Sequence, residues 1–438
     1  MIKRIVFVSI FQPGWGGGHG RVAQETAEYF AQARDRACEV ALICPGERTE
    51  LAAGPNDLRV FFVQSTGEGH FRVPLLSQAN LQRIHDFLES FRPDVIHAHD
   101  PVLLSLMVQV WAGMAGVPFV YTAHELPSKI LEFGALDVVK VPMGLVEPVA
   151  LRFLSDFYRN CDAVVALNPI VAKNIREFGY RGTLLVIPNG RLLARYSGCR
   201  TALLSQSPKS LLFVGFVAER KDQHFLLEVM EHLPPGYSLR LVGEPLDPAY
   251  EERLRAYTRE RHLDNVEFCG RVRHESMPAH YEAAHLLVSA SKMEVQSLVV
   301  IEALASGTPV VGLSNETVDE LVDETVGVRL LKEASPAEFA AAVERLCSLP
   351  QTDYDRMCQC ARERVKHLDW SNVAAALVDA YGAVADEKAA ARAAKRAWRP
   401  RALRLISKVR QVPRRTWLFA GLTVAASLIV YFSQRRRS

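Results

Sequence analysis

Short, uninterrupted apolar runs recur along this chain with helical segments between them, and that alternation leaves few folds open. Residues 3–11 form the first run, of the kind buried on both faces of a parallel sheet. Gly16-Gly17-Gly18, with Gly20 close behind, leads from it into a helical pattern from Val22 to Ala33. Further strands are expected at Glu39–Cys44, Val60–Val63, Val95–His99, Phe119–Thr122, Ala163–Leu167 and Leu184–Ile187. Helical segments at Leu81–Phe91, Val102–Ala115 and Ile170–Phe178 separate most of them. Residues 198–210 are rich in small and polar side chains and read as a linker. A second series then opens with Leu211–Val217 and continues through Ser238–Gly243, Val266–Cys269, Leu286–Ala290, Pro309–Leu313 and Gly327–Leu331. Its helices are expected at Gln223–Leu233, Tyr250–Arg261, Ser297–Ala305 and Ala337–Leu346, and residues 354–391 read as helical throughout. Two Rossmann-like, doubly wound α/β domains follow, at 1–197 and 211–369, with a ligand cleft expected between the carboxyl ends of their sheets.

Charge divides the chain differently. Of 52 basic and 49 acidic residues, residues 386–438 hold 14 and 2, which leaves 38 and 47 for the body, a balance of −9. A mildly acidic body is no nucleic-acid-binding surface, whereas the basic tail wants an anionic partner. Within residues 392–415, Leu405, Ile406, Val409 and Val412 recur at helical spacing with Arg404 and Lys408 on another side, a cationic amphipathic pattern suited to anionic membrane lipids. Residues 416–434 follow as the expected anchor. Its uncharged core, Trp417 to Phe432, is fenced by Arg414-Arg415 and Arg435-Arg436-Arg437. At ~1.5 Å per residue that core reaches about 24 Å, and snorkelling arginines cover the shortfall of a ~30 Å bilayer interior. The excess of basic residues before the span places the body in the cytosol. The Met1–Phe11 stretch is a buried strand rather than a signal peptide, because its apolar part is short and Gln12–Gly18 is a poor cleavage region. Eight scattered cysteines show no zinc spacing and read as reduced thiols.

The chemistry concentrates in Ser291 to Val311, which holds Glu294 and Glu302 with seven residues between them. The second lies inside the apolar run Leu298–Leu304, which ends at Ser306-Gly307-Thr308-Pro309. A carboxylate in a buried helix is costly without a partner, and the amino end of such a helix favours a phosphate. The alternative is a core helix with a solvated glutamate on one edge. Arg220 and Lys221, between a strand and a helix, are placed to neutralise a diphosphate, or else form a surface charge pair. His97, His99 and Asp100 suggest a metal set at first sight, but Pro101-Val102 follow where a binuclear hydrolase needs Asp-His. No metal is expected there. His97 reads as structural, while His99 and Asp100 at the strand end are candidates to face the cleft. His124, at the end of the next strand, is the stronger active-site candidate, its alternative being a buried histidine bonded to backbone.

Six stretches in order resemble the retaining GT-B glycosyltransferases of family 4. They are Gly17–Val22, Asp94–Asp100, Val120–Glu125, Val186–Gly190, Phe213–Asp222, and Glu294-x7-Glu302 with Gly307-Thr308-Pro309-Val310. The resemblance covers residues 1 to about 385. It implies that 1–197 is the acceptor domain, that 211–369 binds a nucleotide-sugar, and that 370–391 is a helix crossing back to the first domain, with Asp369, Trp370 and Tyr381 in packing roles. His124 and Glu294 would be catalytic. Gly17, Gly18, Arg220, Lys221, Ser297, Leu298 and Glu302 would bind the donor, with Glu302 on the ribose hydroxyls. His19, Arg21, His99 and Asp100 would lie on the acceptor side. The resemblance implies neither metal nor cofactor, a UDP-linked donor, and the leaving phosphate as base. The tail adds a membrane-associated acceptor such as a glycolipid, a lipid-linked saccharide or a diacylglycerol. This sequence departs from the family at Phe216, where an arginine is usual, at Asp222, where glycine is usual, and at Val295-Gln296-Ser297, where Gly-Phe-Gly is usual. A nucleotide-sugar epimerase of the same fold and a non-catalytic membrane-tethered scaffold are the rival readings.

Overall fold

A computed structural model of the chain describes residues 2–14, 17–32, 38–67, 72–75, 77–127, 143–198 and 204–398. These divide into two compact units, one of Met1–Ile187 with the segment from Ala374, the other of Pro188–Val373.

In the first unit the apolar runs become β1 (Arg4–Val8), β2 (Glu39–Gly46), β3 (Glu50–Ala53), β4 (Arg59–Thr66), β5 (Val73–Pro74), β6 (Val95–Ala98), β7 (Phe119–Ala123), β8 (Ala163–Ala166) and β9 (Thr183–Val186). The sheet order is β3-β4-β2-β1-β6-β7-β8-β9, with β5 beside β4. Every pairing is parallel except β3 and β5 against β4. Ile5, Val6, Phe7 and Val8 are fully buried, as strands covered on both faces must be. The helices are α1 (Gly17–Gln32), α2 (Gln78–Phe91), α3 (Leu103–Ala115), α4 (Met143–Arg159) and α5 (Pro169–Glu177).

The second unit holds β10 (Lys209–Val214), β11 (Tyr237–Val242), β12 (Val266–Gly270), β13 (Leu286–Ser289), β14 (Val310–Leu313) and β15 (Gly327–Leu330). They run all parallel in the order β12-β11-β10-β13-β14-β15. Around them lie α6 (Gln223–His232), α7 (Pro248–Glu260), α8 (Met277–Ala283), α9 (Leu298–Ala305), α10 (Glu316–Leu321), α11 (Pro336–Cys347) and α12 (Gln351–Arg364). The final helix, α13, runs Trp370–Trp398. From Ala374 it belongs to the first unit, where Tyr381 is fully buried and Lys388 Nζ donates to Val117 O (2.8 Å) and pairs with Asp162 (2.5 Å).

Several elements depart from the sequence reading. Helix α1 begins at Gly17, not Val22, so the glycines form its first turn. Gln24 ties the preceding loop down by accepting from Gly14 N–H at 2.8 Å. Strands β3 and β5 carry no apolar run that would announce them, and Gly144 and Pro148 interrupt the pattern of α4. The helical stretch 354–391 breaks at Lys366–Leu368, because Arg191 inserts its backbone there, donating to Leu368 O (2.9 Å) and accepting from Trp370 N–H (3.0 Å). That contact also puts Pro188–Ser197 with the second unit, whereas the sequence places them in the first. Residues 399–438, with most of the basic segment and all of the expected anchor, lie outside the described residues. Among the described residues no helix is long and apolar enough to cross a membrane.

Candidate active site

In the second unit the Ser291–Ser297 loop is pinned to the start of α10. Asn315 caps α10 by accepting from Thr317 N–H (3.1 Å) and Val318 N–H (3.0 Å), and its amide nitrogen donates to Ser291 O (3.1 Å). Glu316 accepts from Glu294 N–H (3.2 Å). Thr317 Oγ1 accepts from Ser297 N–H (2.7 Å) and donates to Glu294 O (3.1 Å). Glu294 is thereby held on a braced loop, facing β10's end through an ion pair with Lys221, whose side chain is 12% exposed against 15% for Glu294. Burial lowers the Lys221 ammonium and the Arg220 guanidinium lowers it further, while Glu294 draws it back up; the net direction is down from 10.5. For Glu294 burial pushes up, but Lys221, Arg220 and a Ser291 hydrogen bond outweigh it and hold the carboxyl below 4.5.

The family departures acquire reasons here. Asp222 takes the left-handed conformation (φ 51°, ψ 49°) that explains the usual glycine, and its carboxylate pairs with Lys292 Nζ at 3.1 Å. Val295 and Gln296 are buried, and Gln296 Oε1 accepts from Asn189 N–H at 2.7 Å. Ser297 stands at the N-cap position of α9, yet its hydroxyl makes no capping bond, and Leu298 turns its side chain into the core. Glu302 is buried: Oε1 meets Arg191 Nη2 in an ion pair with side chains 3% and 2% exposed, and Oε2 accepts from Tyr281 OH at 2.7 Å. Arg191 and Tyr281 were not anticipated, since Glu302 lies 111 residues from Arg191 and no local pattern joins them. Only the cost of an unpaired carboxylate in an apolar run hinted at a partner.

In the first unit, His97 is structural as expected. Its Nδ1 meets Tyr381 OH and its Nε2 meets Thr122 Oγ1, both at 2.6 Å, and burial lowers it from 6.5 to about 3. His99 and Asp100 do not face outward; each is 2% exposed. Asp100 holds the end of β1, Oδ2 accepting from Ile10 N–H (2.6 Å) and Oδ1 from Ser105 OH (3.2 Å), and burial raises it to about 7. His99 instead backs His124: Nδ1 and Nε2 lie 2.9 Å apart and the rings stack at 5.2 Å. His124 is half-buried, its Nε2 within hydrogen-bond distance of the His99 ring. Beside it Glu125 accepts from Tyr121 OH and is raised to about 8, chiefly by burial. Gly17 and Gly18 open α1 with the partly buried Arg21 in the next turn, and the His19 side chain lies outside the described residues. Among the described residues no three His, Cys, Asp or Glu side chains are grouped to hold a metal ion.

The family model described as Glycosyltransferase Family 4 matches residues 16–195, and that described as Glycosyl transferases group 1 matches residues 200–364. A D-inositol 3-phosphate glycosyltransferase from Geodermatophilus obscurus is 30% identical over 321 residues, 68% of this chain and 68% of that protein. The chain belongs to glycosyltransferase family 4. This glycosyltransferase is also similar to an alpha-monoglucosyldiacylglycerol synthase from Streptococcus pneumoniae, 24% identical over 55% of this chain, and it spans only 56% of that relative. The solved structure of HepE from Anabaena in complex with UDP and glucose matches 87% of this chain and 100% of that one, with a TM-score of 0.68 at 19% identity. A likeness at that identity speaks for the fold, and the glycosyltransferase has the GT-B type of α/β architecture.

Proposed function

We propose that this glycosyltransferase transfers a sugar, with retention at the anomeric carbon, from a UDP-linked donor to a lipid-type acceptor at a membrane. The observation that carries the donor half is the Lys221–Glu294 pair, braced beside the amino end of α9 and largely withdrawn from water. There Lys221 and Arg220 would offset the charge gathering on a departing diphosphate, in an environment where such interactions are stronger than in water. Ser297 and Leu298 would present the first-turn backbone of α9 to the same phosphates. The bond from the anomeric carbon to the diphosphate oxygen breaks, the acceptor oxygen bonds to that carbon on the same face, and its proton passes to the diphosphate. Glu294 would contact the transferred sugar. In the first unit His124, oriented by His99, is the proposed sugar-contacting side chain, and α1 with Gly17, Gly18, His19 and Arg21 the acceptor-side element. HepE, solved with UDP and glucose, supports the choice of nucleotide. The named diacylglycerol-based relative and the basic tail support the acceptor and a cytosolic, anchored body.

A thermal-shift panel of UDP-, GDP- and ADP-sugars tests the donor. A ligand at a hundred times its Kd stabilises by ~2.7 kcal/mol, a readily measured shift. Silence from every nucleotide-sugar overturns the assignment. For the acceptor, transfer to diacylglycerol or glycolipid in anionic vesicles is expected to fall when residues 392–438 are deleted. Undiminished transfer by that variant to soluble sugars alone refutes the lipid reading.

A further inference from the structure

Residues 290–297, between the end of β13 and the start of α9, belong to neither strand nor helix, so their inward-facing backbone groups need partners from elsewhere. Asn315, Glu316 and Thr317 supply several of them, in unequal ways. Asn315 reaches one carbonyl, that of Ser291, and Glu316 one N–H, that of Glu294. Thr317 reaches both ends of a four-residue segment: its Oγ1 accepts from Ser297 N–H at 2.7 Å and donates to Glu294 O at 3.1 Å. A threonine hydroxyl carries a single proton, and here it is committed to Glu294. Thr317 is fully buried, and its own N–H is held by Asn315 Oδ1 at 3.1 Å.

The two ends joined by this hydroxyl have different duties. Glu294 pairs with Lys221 and lies on the sugar side of the donor reading. Ser297 stands at the N-cap position of α9, on the phosphate side, and because its hydroxyl makes no capping bond, Thr317 fixes the start of that helix from outside it. We propose that Thr317 is a positioning residue, whose buried hydroxyl keeps the sugar-side carboxylate Glu294 in register with the phosphate-side helix end at Ser297. The bond broken in transfer lies between sugar and phosphate, so a donor that spans both ends is presented in one geometry. Being fully buried, Thr317 acts only through the backbone it holds. This rests on the donor reading above for what the two ends bind; the clasp on the loop stands apart from it.

The test uses full-length enzyme with Thr317→Val, which keeps a similar shape and loses both bonds, and Thr317→Ser, which keeps the hydroxyl. A reacting group displaced by about 1 Å can cost roughly a hundredfold in rate. Thr317→Val is therefore expected to lower kcat for transfer from UDP-glucose to diacylglycerol in anionic vesicles by about tenfold to a hundredfold. UDP engages the phosphate side alone, so its Kd is expected to stay within about threefold of wild type. Thr317→Ser is expected to stay within about threefold on both measures. Amide exchange over residues 292–298 should quicken about tenfold or more in Thr317→Val and not in Thr317→Ser, with β13 and β14 unchanged. A Thr317→Val enzyme with wild-type kcat, or one whose kcat and UDP affinity fall together, overturns the proposal. In wild type, where no variant has to fold, the Ser297 amide should exchange about a hundredfold or more slowly than in an unfolded chain; exchange at the unfolded rate also overturns it. If wild type transfers no glucose, the donor or acceptor reading is at fault, and the exchange measurements alone decide the clasp.

Discussion

Replacing Asp100 by Asn should stabilise the first unit, and only above acidic pH. The carboxyl is 2% exposed, and burial raises it from 3.8 to about 7 despite hydrogen bonds from Ile10 and Ser105. Between those values the folded protein holds a proton that the unfolded chain has released. The group's stabilisation is therefore complete below pH 3.8, is lost as pH rises, and is gone above about 7. A shift of about three units corresponds to ~4 kcal/mol, or roughly 8–16 °C in Tm for a unit of this size. Asparagine keeps the geometry, since its carbonyl can accept from Ile10 N–H and its amide can donate to Ser105, but it carries no charge to bury. It also relieves Glu125, which Asp100 helps to raise. Scanning calorimetry of both proteins from pH 4 to 9 should show curves that meet near pH 4 and separate by about 10 °C at pH 8, the variant higher. Parallel curves between pH 5 and 8 would refute the reasoning, because Asp100 would then be ionised at no cost.

If the proposed donor site is right, Lys221→Met should weaken donor binding by about tenfold to a hundredfold, read by titration with UDP, because a diphosphate there would lose a desolvated cation. Donor affinity unchanged by that substitution would remove Lys221 from the site. Gly190→Ala places a Cβ 2.3 Å from Trp370 Cε3 and should cost about 1–3 kcal/mol, measured by denaturant unfolding; a neutral outcome would mean that the Trp370 packing is loose. Tyr381→Phe deprives buried His97 Nδ1 of its partner and should cost about 1–3 kcal/mol, with hydrogen exchange in β6 and β7 rising alongside.

Much of the fold was legible because strands buried on both faces leave a dense apolar signature. β1, β6, β7 and β8 show it plainly, and the strands of the second sheet fall within a few residues of their expected ends. The elements that escaped carry no such signature. β3 and β5 lie at the sheet edge on antiparallel pairings, and β3 is mostly exposed. The break between α12 and α13 is made by the backbone of Arg191, far away in sequence, so a helical pattern ran straight across it. The candidate site was legible only as separate residues. Lys221 and Glu294 stand out as charges beside strand ends, and the structure brings them together. Asp100 and His99 look alike in the sequence as polar residues at a strand end, yet one anchors Ile10 and the other backs His124.

Glu294 and Glu302 show where the sequence stops. Its pattern determined the two α/β units, the loop-and-helix element, and the need of a carboxylate in an apolar run for a partner. Membership of glycosyltransferase family 4 follows from the same residues. Which partner each carboxylate takes was decided only by the tertiary structure, since Lys221 and Arg191 reach them from 73 and 111 residues away. Burial and charge compensation depend on what packs across the interior, and spacing along the chain carries no record of that distance. One glutamate is thereby left partly open beside a cation, and the other is enclosed.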